Sequence, residues 1–264
     1  MSQPYRLLTA LGGLLIGTAV LVGCGGETEI GRPVPADMLL SPAALPTGFT
    51  SESLTIDDLT AANAQQLTLS ADTAISPQQC RLVADAQFNK ALTPANSAVL
   101  GARSLSAGLT ELVSTVPRDV GADIRTSTRD CARTTTSVTG GSMKGAVITT
   151  DHVRLDPPEL ASSTAGYAGR IGSLRVIDIF VVRSTVSTRL GDGSVSTSVS
   201  LAGYATGRFT FDAPDVAPVT VQLTSVGEAS DFARPAVSSR APISDDDFVG
   251  LFGKALSAAG DATR

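Results

Sequence analysis

Apolar and polar positions alternate with different periods along the chain, and each change of period predicts an element. Leu11–Val22 is an uncharged, largely apolar run of 12 residues. A membrane-crossing helix needs about 20 apolar residues to cover roughly 30 Å of hydrocarbon. The run is therefore too short to span and has the length of the apolar core of an export signal. Residues 25–37 (GGETEIGRPVPAD) mix Gly, Pro and charge without any period and read as a tether.

Three helices are predicted beyond the tether. Ser76-Pro77-Gln78-Gln79 places an N-cap Ser, a Pro at the first helical position and a Gln at the third, which is a capping box. Cys80, Val83, Ala84, Phe88 and Ala91 then recur at helical spacing, with Cys80 on the inward stripe. A second helix is predicted from about Pro117, with Val120, Ile124, Thr128 and Cys131 on one stripe. A third begins at Ser244, where Asp245, Asp246 and Asp247 complement the helix dipole. Its apolar face is Phe248, Leu251, Phe252, Ala255, Leu256 and Ala259, with Gly260 suited to the stop. The aspartate triplet is read as capping; a calcium loop needs more oxygen ligands.

Between these helices the period shortens to two. Strands are predicted in 109–116 and 145–155, and 174–190 (LRVIDIFVVRSTVSTRL) changes from nearly all apolar to alternating. Gly191-Asp192-Gly193-Ser194 is a hairpin turn by composition, and alternation resumes on Val195, Thr197, Val199 and Leu201. Residues 207–211 and 219–226 continue the meander. The fold expected is α+β: an antiparallel β-meander sheet packed by helices on one side, with one interhelical disulfide.

Composition narrows the functional classes. With residues 1–23 removed, 241 residues remain, carrying 19 Lys+Arg against 25 Asp+Glu, a net charge of −6. Such a chain does not attract phosphate backbones, so no nucleic-acid partner is expected. It has no polybasic patch for anionic lipids either. Cys80 and Cys131 are the two thiols of the body, and outside the cytoplasm such a pair forms a disulfide. Two cysteines and the single His152 do not make a tetrahedral metal site, and a Cys-x-x-Cys spacing is absent. Neither metal nor cofactor is expected.

No catalytic residue is assigned. His152 sits in TTDHVRLD beside Asp151 and Asp156, but there is no Gly-x-Ser-x-Gly elbow; GGSMKG (140–145) has the wrong spacing. Phosphate-loop and dinucleotide fingerprints are missing, and the absence of Trp leaves little material for stacking sugars. Carboxylate pairs for glycoside hydrolysis stay open at this level.

For binding, Asp178 is out of place on a strand face shared with Leu174, Val176, Phe180 and Val182, while Arg175 and Arg183 bracket the opposite face. Two readings follow. Asp178 forms an internal ion pair with a strand arginine, as a buried charge requires. Alternatively Asp178, Tyr204 and Arg208 edge a ligand cleft between sheet and helices.

Two resemblances complete the sequence reading. Leu21-Val22-Gly23-Cys24 resembles a bacterial lipobox, which implies cleavage before Cys24 and diacylglycerol, with palmitate, on its thiol. The order of Ser76-Pro77-Gln78-Gln79-Cys80, a strand, RDVGADIRTSTRDCART with Cys131, a meander and a closing helix resembles the secreted sensor-type domain of actinobacteria. Such domains occur outside receptor Ser/Thr kinases and as free lipoproteins. The skew of the basic residues to 17 Arg and 3 Lys agrees with such a source. The resemblance implies a signal peptide over 1–23, an acylated tether over 24–37 and one domain over 38–264. The expected protein is non-enzymatic and anchored to the outer face of the cell membrane through its lipid. It would act as a sensor or carrier for a small-molecule or lipid ligand. The alternative is a structural envelope lipoprotein that binds another protein.

Overall fold

The computed structural model describes residues 34–69, 72–81, 84–161, 168–209, 218–234 and 240–262. The expected signal segment, residues 1–23, and Cys24 lie outside the described residues. Ten strands form one sheet: β1 (Thr50–Glu52), β2 (Thr73–Ser76), β3 (Ser97–Arg103), β4 (Ala107–Ser114), β5 (Arg133–Val138), β6 (Val147–Leu155), β7 (Gly169–Ile171), β8 (Leu174–Arg189), β9 (Val195–Phe209) and β10 (Pro218–Gly227). Their order is β1-β3-β4-β10-β9-β8-β6-β5-β2, with β7 added on β8, and every pairing is antiparallel. The helices are α1 (Ile56–Leu69), α2 (Ala84–Ala91), α3 (Val120–Ser127) and α4 (Asp245–Asp261). None of the described helices is long and apolar enough to cross a membrane.

The spine of the sheet is the β8–β9 hairpin, whose strands run 16 and 15 residues. Its turn works as the composition predicts. Asp192 Oδ1 accepts from the Ser194 amide at 2.8 Å and its hydroxyl at 2.6 Å, and Gly193 takes a left-handed φ of 85°. These bonds to Ser194 hold the Asp192 carboxyl below its usual range. The following meander places β10 beside β9, and residues 207–209 of the expected separate strand are the end of β9.

Alternation divides the side chains between two faces. Leu109 and Val113, Leu201, Ala205 and Phe209, and Val219, Val221 and Leu223 point to one face, and α4 covers it with Phe248, Leu251, Phe252, Ala255, Leu256 and Ala259. Ser244 caps α4 as predicted, its hydroxyl accepting from the Asp247 amide at 3.1 Å. Burying each large apolar side chain of this face contributes about 1.5–3 kcal/mol. Gly203 is what allows the close approach: a Cβ there would lie 2.8 Å from the Phe252 ring. The same core takes in a 3₁₀ turn at Pro35–Met38, whose Pro35 and Met38 are buried, so packing begins ahead of residue 38.

The opposite face is covered as well, so the sheet has helices on both sides and not on one. Ile56 of α1 and Phe88 of α2 pack with Leu92 around Leu112, and Val120 of α3 packs on Phe180 and Val182. Both faces of β8 are buried over Phe180, Val181 and Val182, within the nearly all-apolar half of its run.

The first predicted helix is corrected at its start. Thr73–Ser76 pairs with Thr135–Val138, so Ser76 ends a strand instead of capping a helix, and the Ser76–Pro77 peptide is cis. A 3₁₀ turn at Gln78–Cys80 follows, and α2 begins at Ala84. Cys131 likewise lies past α3, in a 3₁₀ turn at Arg129–Cys131 that Arg129 opens at a left-handed φ of 54°. Cys80 and Cys131 are bonded, with Cα atoms 5.4 Å apart. The bridge thus joins two 3₁₀ turns rather than two helices. It holds a long excursion: α1 and α2 pack together beside β3, whereas β2 between them in sequence sits on the far edge of the sheet.

Candidate functional site

The helices of the second face leave its centre open. α1 and α2 stand over β3 and β4, and α3 stands over β8, so a cleft of about 340 Å³ remains above β10 and β9. Its floor is set by register. One cross-strand row is Leu112, Gln222, Tyr204 and Phe180; the next is Thr110, Thr224, Ala202 and Val182; the third runs Val226, Ser200, Ser184 and His152. Asn63 of α1 and Asn89 of α2 form one wall, and Asp123 and Ser127 of α3 form the other.

Arg118 holds the walls to the floor. Its Nε and Nη2 donate to the two carboxylate oxygens of Asp123, both at 2.7 Å, and the side chains are only 1% and 7% exposed. The guanidinium lies 5.4 Å from the Phe88 ring and 4.3 Å from the Tyr204 ring. Its Nη1 donates to Gln222 Oε1 at 3.2 Å, and its amide donates to Thr220 Oγ1 at 3.1 Å. One side chain therefore ties together α2, α3, β9 and β10. A bidentate, planar arginine fork suits this geometry as a lysine would not.

Charge inside the cleft is cancelled. Asp123 is matched by Arg118, and burial pushes the His152 pKa down, against the opposing pull of Asp151, so the imidazole is neutral near pH 7. His152 Nδ1 and Ser184 Oγ lie 2.8 Å apart. Asp151 points to the other face and pairs with Arg133 at 3.2 Å, so it does not complete a relay through His152. Among the described residues no cluster of three His, Cys, Asp or Glu is placed to hold a metal ion.

Of the residues singled out by sequence, Tyr204 and His152 line the cleft. Asp178 and Arg208 do not: both are exposed, opposite Thr206 and Arg175 respectively. Arg208 is four residues beyond Tyr204 along β9, about 13 Å at strand rise. The expected trio is therefore not brought together. The internal ion pair is corrected too. A β-bulge between Val176 and Asp178 interrupts the alternation, so Leu174 and Val176 share the α4 face with Ile179 and Val181, while Phe180 and Val182 face α3. Arg183 turns to Asp245 of α4 at 2.7 Å, and Asp178 stays exposed.

Arg118 and Asp123 escaped the sequence reading although both stand in RDVGAD. A charged pair five residues apart reads as surface unless the aromatic partners, Phe88 and Tyr204, are known to converge on it. Thr110, Thr224 and Ser200 were legible only as the polar half of alternating strands. No family model, curated protein or solved structure matches the chain.

Proposed function

We propose that this chain is a binding protein: a lipid-anchored, extracytoplasmic sensor or carrier domain that takes a small polar ligand in the cleft above β9 and β10. The preformed cleft carries the reading. Its volume of about 340 Å³ falls in the roughly 300–1,000 Å³ range of small-molecule sites. Its walls are set by the buried Arg118–Asp123 pair and its floor by the most extensively paired strands. Binding is favoured over catalysis because the His152–Ser184 pair is not completed by Asp151, which pairs with Arg133 on the opposite face. The lipobox supports the anchor, and the Cys80–Cys131 bridge agrees with an oxidising compartment.

A second reading, an envelope lipoprotein that binds another protein, is favoured by three exposed apolar residues. Leu105 in the β3–β4 turn is fully exposed, and Val226 and Phe232 near the ends of β10 and β9 are about half exposed. Native mass spectrometry of the mature chain from its envelope, with an Ala202→Phe variant that fills the floor, separates the two. Extra mass on the wild type that the variant lacks supports the cleft. A clean apo mass in both, with a protein crosslinked through Leu105, refutes it.

A further inference from the structure

Building on the cleft reading, we infer that the ligand is an uncharged polyhydroxylated molecule, a neutral carbohydrate or a glycolipid headgroup of that kind. Thr110 and Ser200 on the floor, and Asn63 and Asn89 on the wall, make no side-chain hydrogen bond among the described residues. Thr224 makes only a long one, 3.4 Å to the Thr110 carbonyl. These hydroxyls and amides both donate and accept, as sugar hydroxyls do. They are also spread in two dimensions. Cross-strand neighbours sit about 5 Å apart, and same-face residues along a strand about 7 Å apart, a spacing met by substituents around a pyranose ring rather than by a single anionic or cationic group.

Other ligand classes fit less well. Among the described lining residues an anion would meet no uncommitted cation, since the guanidinium of Arg118 spans both oxygens of Asp123. A cation would find that same carboxylate already matched. A fatty acyl chain would strip water from the Thr110, Thr224 and Ser200 hydroxyls without replacing the hydrogen bonds, which costs about 1–3 kcal/mol each. An extended peptide would need an open strand edge, and β4, β10, β9 and β8 are paired on both sides. With no Trp in the chain to stack on a sugar, the apolar contact falls to the adjacent Ala202 and Val182, a flat strip on the middle row suited to the C–H face of a sugar ring.

The test uses the mature full-length chain with its disulfide intact. A panel of free neutral mono- and oligosaccharides is titrated calorimetrically, with glucuronate and glucosamine as charged counterparts and decanoate as an apolar one. Maltose against dodecyl maltoside below its micellar concentration separates a free sugar from a lipid-borne headgroup. Thr110→Val and Ser200→Ala, which keep the strands and remove one hydroxyl each, should weaken the best neutral ligand by about fivefold to tenfold with unchanged thermal midpoint. Tighter binding of a charged or apolar member, blocked by Ala202→Phe, overturns the carbohydrate inference and leaves the cleft reading standing. Neutral-sugar binding that Thr110→Val, Ser200→Ala and Ala202→Phe all leave untouched overturns it as well. Silence across the panel, together with an apo mass for protein taken from its envelope, overturns both.

Discussion

Glu111 is the least expected residue of the core, and its ionisation gives a quantitative test of the packing. It stands on β4 between Leu100 of β3 and Leu223 of β10, has no solvent exposure, and faces the apolar layer beneath α4. Oε2 accepts from the Leu40 amide at 2.8 Å, and Oε1 has no partner among the described residues. Burial pushes its pKa from 4.5 up to about 7, against the smaller opposing effect of the Leu40 bond. The folded protein therefore retains a proton that the unfolded chain releases. The stability this contributes is complete below pH 4.5 and is lost as pH rises through 7. At 1.36 kcal/mol per pK unit the full loss is about 3 kcal/mol. Glu111→Gln keeps the shape and an acceptor for Leu40 but cannot ionise. Urea unfolding of both proteins at pH 4.5, 6 and 8 isolates the effect, because the titration of every other carboxylate cancels in the difference. The variant should gain about 3 kcal/mol relative to wild type between the two ends of that range. A difference that does not change with pH would refute the account of Glu111 as a buried, protonated acid.

Two further perturbations address the cleft. Arg118→Met should cost about 3–5 kcal/mol, because it leaves Asp123 buried without its cation, and adding Asp123→Leu should restore much of the loss; a double-mutant cycle from urea midpoints without coupling would contradict the keystone role. Replacing Cys80 and Cys131 together by Ser releases a loop of 51 residues, worth about 4 kcal/mol on the chain-entropy model. Thermal unfolding under non-reducing conditions measures that loss, and a midpoint equal to wild type would show that the β2 excursion is held by its strand pairing alone.

The second half of the chain was readable because its signals are local. The Gly191–Ser194 turn, the alternation on either side of it and the capped apolar stripe of α4 each occupy one contiguous window, and all three appear where expected. The first half was not, because its strands are short, rich in Ser and Thr, and defined by partners far away. Thr73–Ser76 becomes a strand only through Thr135–Val138, and without that pairing the Ser-Pro-Gln-Gln signal reads as a helix start. α1 was missed because Ala, Asn, Gln and Thr between Ile56 and Leu69 carry little amphipathic contrast. The bulge at Val176–Asp178 defeated the face assignment for a simpler reason: one extra residue in a strand inverts all the positions on one side of it. Glu111 lay hidden in LTELVSTV, where one acidic residue in a predicted strand carries no sign of burial until α4 covers the face it shares with Leu109 and Val113.

The place of α4 in the chain has a consequence for synthesis. The layer it covers joins the 3₁₀ turn at Pro35–Met38, the start of the described residues, to Asp245–Asp261, near their end. Until the final turns of α4 have left the ribosome, Leu201, Val221 and Leu223 have no lid, and Phe248 and Phe252 have no bed. A nascent chain built this way completes its native core only after α4 has emerged, so the sheet's apolar layer and the helix that covers it fold as one unit.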